Sequence, residues 1–322
     1  MLHSSMDSPE WEKEFEMMRS QEHFEVVWDI MQPHLQKLSE SFLESICYKS
    51  SYKSRNENYQ DFINNAIDSN EMLNTKYHEL FSSQSMDDYE YDIDGFKNSI
   101  LKRETDIINK TLNSPMEVLK DWKRDFKLAK ARELFDTFYN MMVFADDYNK
   151  NMTEDNMAAI NTIDDNRLIE MGESAVFQRR VIGTGIVSNI LNIMYPRVFP
   201  NAYKIGLFTL YFLTGEKGTQ GIKMPSGTSE FLMVKDNIRS KTGIIETENN
   251  YYFPYETFAL YSLRIQDYLN CLFFKELQLW FPYEHRFLFT NSFFSYVVSE
   301  YKESIQTLTG NDDIYKFTYW DN

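Results

Sequence analysis

The sequence predicts a mainly α-helical fold: an acidic helical N-terminal region, then an aromatic-rich helical C-terminal domain holding a small β element. Three observations predict it. Apolar residues recur at three- and four-residue spacing along most of the 322 residues, the period of a half-buried helix. Glycine is scarce, at 11 residues, and only Gly95 and Gly172 fall in the first 172. Helix starts are signposted, as in Ser8-Pro9-Glu10 and Ser114-Pro115, where a serine can cap and a proline's missing N–H costs nothing.

Taken in order, Trp11, Phe15 and Met18 share a helical face, and Phe24, Val27, Trp28 and Met31 form a second series toward Pro33. Leu35, Leu38, Phe42 and Ile46 continue beyond it. Residues 59–66 and 71–81 give two more modest amphipathic segments. From Pro115 a single long helix is expected, with Leu119, Trp122, Phe126, Ala129, Leu134, Phe138 and Met141 on its apolar stripe. The opposite face carries Lys120, Lys123, Arg124, Lys127, Lys130 and Arg132, a cluster that could contact nucleic acid but is expected to pair with the surrounding acidic helices.

The most apolar stretch is 181–215, read as two buried helices around a turn with Pro196 and Pro200. Phe199, between the prolines, is expected to anchor that turn. Glycines at 215, 218, 221 and 227 with Pro225 mark a loop-rich part, and residues 229–234 read as a short strand pairing near Ile244-Ile245. A β hairpin is therefore expected near 229–247. Phe253-Pro254-Tyr255-Glu256 recurs as Phe281-Pro282-Tyr283-Glu284, each before a helix that would cover 181–215. The tail alternates aromatic residues, Tyr315, Phe317, Tyr319 and Trp320, in the manner of an edge strand or a docking peptide.

Charge divides the chain. Residues 1–172 hold 34 acidic and 19 basic residues, and the remainder 15 and 14. The break gives two expected units, an acidic helical region over 1–165 and a helical domain over 173–322. The formal charge of -16 disfavours nonspecific attraction to nucleic acid or anionic lipid over the whole molecule. Only Cys47 and Cys271 occur, far apart, which fits a reducing compartment better than a disulfide framework. No basic start precedes an apolar run, and 205–213 is too short to span a bilayer. A soluble cytoplasmic protein with no membrane partner and no cofactor is expected.

Few motifs carry chemistry. Glu90, Asp92 and Asp94 before Gly95 mimic the opening of a calcium loop, but Leu101 stands where the closing glutamate belongs. Asp146-Asp147 and Asp164-Asp165 sit among caps and loop residues. The five histidines form no ligand spacing, and the segment 215–221 lacks the ending of a phosphate-binding P-loop.

Residues 179–191, RRVIGTGIVSNIL, resemble the hairpin of helix-hairpin-helix DNA-binding domains through Gly183, Gly185, Ser188 and Leu191. The resemblance implies that Arg179, Arg180 and the backbone around Gly183, Thr184, Gly185 and Ile186 hold a DNA phosphate at a helix start. The catalytic aspartate of glycosylase-like relatives is replaced by Asn201-Ala202-Tyr203, so base excision is not implied.

Three functions follow as expectations. The preferred one is a non-enzymatic interaction or regulatory subunit of an intracellular multi-protein complex, set in a bacterial or phage defence-type system, with a protein partner. The others are a DNA-binding protein using the 179–186 turn, and a metal-dependent hydrolase built on Asp87–Asp94, Asp146 and Asp147.

Overall fold

The computed structural model describes residues 9–116, 119–215, 231, 238–239, 245–246 and 253–309. These are mainly helical. The N-terminal half runs α1 (Pro9–Met18), α2 (Gln21–Cys47), α3 (Arg55–Leu80), α4 (Ser83–Tyr89), α5 (Ile93–Gly95), a π-helix (Phe96–Glu104), α6 (Asp106–Asn113), α7 (Lys120–Leu128), α8 (Ala131–Asn151) and α9 (Glu154–Ala158). A 3₁₀ turn (Asp164–Asn166) and α10 (Glu170–Glu173) lead to α11 (Thr184–Met194) and α12 (Lys204–Leu213). Then come α13 (Tyr255–Leu277), a 3₁₀ turn (Tyr283–His285), α14 (Arg286–Glu300) and α15 (Lys302–Thr309).

The apolar spacing explains α2 directly. Phe24, Val27, Trp28, Met31, Leu35, Leu38, Phe42 and Ile46 are all buried on one helix that runs through Pro33. The two segments expected over 59–81 are one helix, α3. It opens on a reciprocal cap in which Ser54 Oγ accepts from the Glu57 amide at 3.2 Å and the Glu57 carboxylate accepts from the Ser54 amide at 2.8 Å.

The long helix expected from Pro115 is corrected. It starts at Lys120 and is broken between Leu128 and Ala131, giving α7 and α8. Lys97, only 8% exposed, explains how the break is tolerated. Its ammonium donates to the carbonyls of Lys127 and Ala129, which the broken helix leaves without intrahelical donors. Burial pushes the Lys97 pKa below the ordinary lysine value. The π-helix brings Phe96 and Leu101, five apart, onto one buried side, as its i→i+5 bonding requires.

The 181–215 stretch is interior, as its composition demands. Every residue from Ile205 to Leu213 is buried, and α11 buries Val187, Ile190, Leu191 and Met194. Its cover comes from both compositional halves: α3 lies on α11, while α2 and α14 lie on α12. Gly206 explains one close approach, since a Cβ there would stand 2.8 Å from the Phe258 ring of α13. A shared aromatic cluster joins the halves, with Phe42 of α2 near Phe62, Phe273, Phe289, Phe293 and Tyr296. Hydrophobic contact therefore crosses the charge break at 164–172 without interruption.

The small β element near 229–247 is not supported. Phe231, expected in a strand, is in a 3₁₀ turn against Phe253 and Tyr261, and its neighbours lie outside the described residues. The pairing that is described there is two residues long, Ile238–Arg239 with Ile245–Glu246, and does not include the expected strand. Two such residues on each side bury too little to make a structural element.

Candidate functional site

The turn that resembles a DNA-binding hairpin is formed by main-chain bonds. Gln178 and Ile182 exchange amide-to-carbonyl bonds, each of 2.9 Å, and Arg179 and Arg180 sit exposed at the tip. Arg180 takes a left-handed conformation, φ 68°. Trp122 of α7 pins the turn from behind, its Nε1 donating to the Val181 carbonyl at 2.8 Å. Gly183 is the N-cap of α11, and Thr184, Gly185 and Ile186 are half-exposed in its first turn. A Cβ on Gly183 or Gly185 would meet nothing within 4 Å, so neither glycine exists for close helix packing. Ser188 and Leu191 serve the interior instead: the Ser188 hydroxyl accepts from the Ala202 amide at 3.0 Å, and Leu191 is fully buried. The chain before the hairpin is the four-residue α10 followed by a turn at residues 174–175.

The other sequence candidates scatter. Tyr315, Phe317, Tyr319 and Trp320 lie outside the described residues. Asp146 accepts from the Tyr195 hydroxyl, while Asp147 turns to another side and accepts from Asn151 at 3.1 Å, so the two carboxylates do not form one site. Asp165 caps a loop; the Asn161 amide, then Thr162, hold its carboxyl below the usual range. Asp92 caps α5 by accepting from the Gly95 amide at 2.9 Å. Among the described residues no three His, Cys, Asp or Glu side chains come together as a metal site. On the basic face of α7 and the start of α8 the ion pairs are mostly local, not with neighbouring helices: Arg124 meets Asp121 and Asp125, Lys130 meets Glu133, and Arg132 meets Asp136 and, at 3.5 Å, Glu90.

The structure brings together groups that carried no local signal. Arg197, between the two prolines, donates to the carbonyl of Met152 and to the main and side chains of Asn149. Its guanidinium carbon also lies 5.6 Å from the Tyr283 ring, whose other neighbour is Arg286 at 4.2 Å. On α3, Asn70, Asn74 and His78 stand one turn apart and bind the last carbonyls of α11, at Ile193 and Met194. An open cleft of about 320 Å³ lies between α8 and the segment 167–174, with Asp147, Arg167 and Glu170 on its walls. Arg167 itself has φ 55° and binds Glu170 through two nitrogens, at 2.8 and 3.1 Å.

An aromatic patch forms where α2 ends, α3 begins and α13 ends. Asn56 donates to the Leu277 carbonyl at 3.1 Å, and Arg55 pairs with Glu276 at 3.6 Å. These contacts set the α2–α3 connection, with Tyr48 (67% exposed) and Tyr52 (98%), against the end of α13, which Trp280 (53%) follows. Arg55 lies over the Tyr48 ring, and Trp280 stacks on Phe274 at 4.2 Å. Tyr52 and Trp280 lie in connections between helices and carry no periodic signal, so nothing local groups them with Tyr48.

Comparison with known proteins leaves the geometry to stand alone: no family model, no curated protein and no solved structure matches this chain. Among the described residues, no helix is long and apolar enough to cross a membrane.

Proposed function

We propose that this protein is a non-enzymatic interaction subunit of an intracellular multi-protein complex, of the kind used in bacterial or phage defence. The carrying observation is the Tyr48–Tyr52–Arg55–Trp280 patch. Tyrosine, tryptophan and arginine dominate the energetics of protein interfaces, because each buries a large area with a polar edge. Solvating an indole and two phenol rings at one end of a small surface is unfavourable unless a partner covers them. Cytoplasmic residence fits the free thiols of Cys47 and Cys271. The test is affinity capture from the native host with the wild type and with Tyr52→Ala/Trp280→Ala, both checked for equal Tm. Loss of a stoichiometric partner in the double variant supports the reading. An unchanged set of captured proteins, or a wild-type monomer that captures none, rejects it.

A second reading, DNA contact through the 179–186 turn, is favoured by one observation. Arg179 and Arg180 are exposed at a pinned tip that leads straight into the start of α11. Helix starts attract phosphate, and each phosphate contact makes binding fall with salt. Gel shifts with the wild type and Arg179→Glu/Arg180→Glu decide it. Salt-sensitive binding lost in the variant supports this reading, and equal binding by both proteins removes it.

A further inference from the structure

Arg286 opens α14 and is only 7% exposed. Its Nε is buried and has no hydrogen-bond partner among the described residues. The guanidinium rests on the Tyr283 ring at 4.2 Å, a favourable contact that leaves its Nε–H unanswered. Arg197 lies across the same ring, so a second cation raises the local positive potential. Unlike Arg286, Arg197 is engaged by Asn149, Met152 and, at 3.5 Å, Glu284.

The wall opposite is also unsatisfied. Thr290 of α14 reaches the Ser262 carbonyl of α13 at 3.5 Å, and one turn along this antiparallel pair sets Gln266 level with Arg286. Ser262 Oγ and Gln266 Oε1 are buried without hydrogen-bond partners, and so is His285 Nδ1 beside the helix start. Burial holds that imidazole below its ordinary pKa. A helix N-terminus adds its own partial positive charge, although the Phe287 amide is already given to the Pro196 carbonyl at 3.0 Å. Asp267 and, more weakly, Glu154 are the carboxylates that act on Arg286, and Asp267 faces Arg264 as well. Neither makes an ion pair with Arg286.

A guanidinium N–H buried without a hydrogen-bond partner is unfavourable, and the Asp267 carboxylate that acts on Arg286 does not reach it as an ion pair. We propose that the start of α14 is a binding site for a small oxyanion, with Arg286 as its principal charge and the Ser262 hydroxyl as a donor on its facing wall. The planar fork of an arginine matches both phosphate and carboxylate oxygens. The site is separate from the aromatic patch and does not depend on the interaction reading.

The test uses the full chain. Tm is followed while sodium phosphate or sodium acetate is added, against sodium chloride at matched ionic strength. A ligand that binds only the folded state raises Tm in a saturable way. The expected result is a saturable rise over chloride; a rise with phosphate only assigns the phosphate class, and with acetate only the carboxylate class. Arg286→Gln should lose the rise. Asp267→Asn, which removes a competing negative charge, should lower the half-saturating concentration several-fold. Should Arg286→Gln fail to fold, Asp267→Asn decides alone. A water bridge from Arg286 to Asp267 would make that variant less stable, with no saturable effect of either anion. That outcome, or a wild type indifferent to both anions beyond chloride, overturns the proposal.

Discussion

The hydroxyl of Tyr255 donates to the carbonyl of Pro200 at 2.8 Å, inside the protein, and fastens the start of α13 to the proline turn between α11 and α12. The second proline is thus held by a residue 55 positions later. Phe199 is fully buried beside this bond, 4.9 Å from the Tyr148 ring, and its carbonyl accepts from Asn192 at 2.7 Å.

Two substitutions separate packing from hydrogen bonding at this turn. Phe199→Ala should cost about 3–5 kcal/mol, the range for deleting a buried aromatic ring. Tyr255→Phe keeps the ring but orphans the Pro200 carbonyl, and should cost about 1 kcal/mol. Urea unfolding followed by tryptophan fluorescence measures both; equal losses would show that Phe199 is not a packing anchor.

Alkaline pH should unfold the protein through its buried tyrosines. Burial raises the pKa of Tyr59, Tyr77, Tyr148, Tyr195 and Tyr255 above the ordinary phenol value, and pushes Tyr296 up to about 12. A folded pKa above the unfolded one means that the unfolded state loses its proton first. The stability these groups contribute is then complete below about pH 10 and falls as pH rises from there. Absorbance titration of phenolate should show a late group of tyrosines ionising together with loss of helical circular dichroism. Ionisation of all tyrosines near pH 10 with the fold intact would contradict it.

The Arg179–Arg180 tip should become a protease site when its support is cut. Trp122→Phe removes the bond to the Val181 carbonyl and should cost about 1 kcal/mol. Trypsin cleavage after Arg179 and Arg180 should then speed up relative to other sites, as read by mass spectrometry of early fragments. An unchanged cleavage order would show that other contacts hold the turn.

Ala175 follows the C-cap of α10 with φ 52°, a conformation that suits glycine. Ala175→Gly should relieve the clash between Cβ and the carbonyl, worth about 1–2 kcal/mol, less the entropy glycine adds to the unfolded chain. A small rise in Tm is expected. A fall would mean that the alanine methyl contributes contacts of its own.

Local pattern determined a good deal of this protein. Helical periodicity placed the buried faces of α2 and α8, and the paired prolines at 196 and 200 marked where α11 gives way to α12. These signals are short-range: 3.6-residue spacing and proline's missing donor act within a few residues. The tertiary structure alone decided where the helix after Pro115 breaks, because Lys97, some 30 positions earlier, caps the carbonyls of Lys127 and Ala129. It likewise brought the Asn70–Asn74–His78 row to α11, about 120 positions away, although that one-turn spacing stands in the sequence as a polar stripe without an assigned partner. The orphaned Nε–H of Arg286 had no local signature either. An arginine at a helix start looks exposed until α13 folds across it, and only burial turns its charge into a demand for a counter-ion.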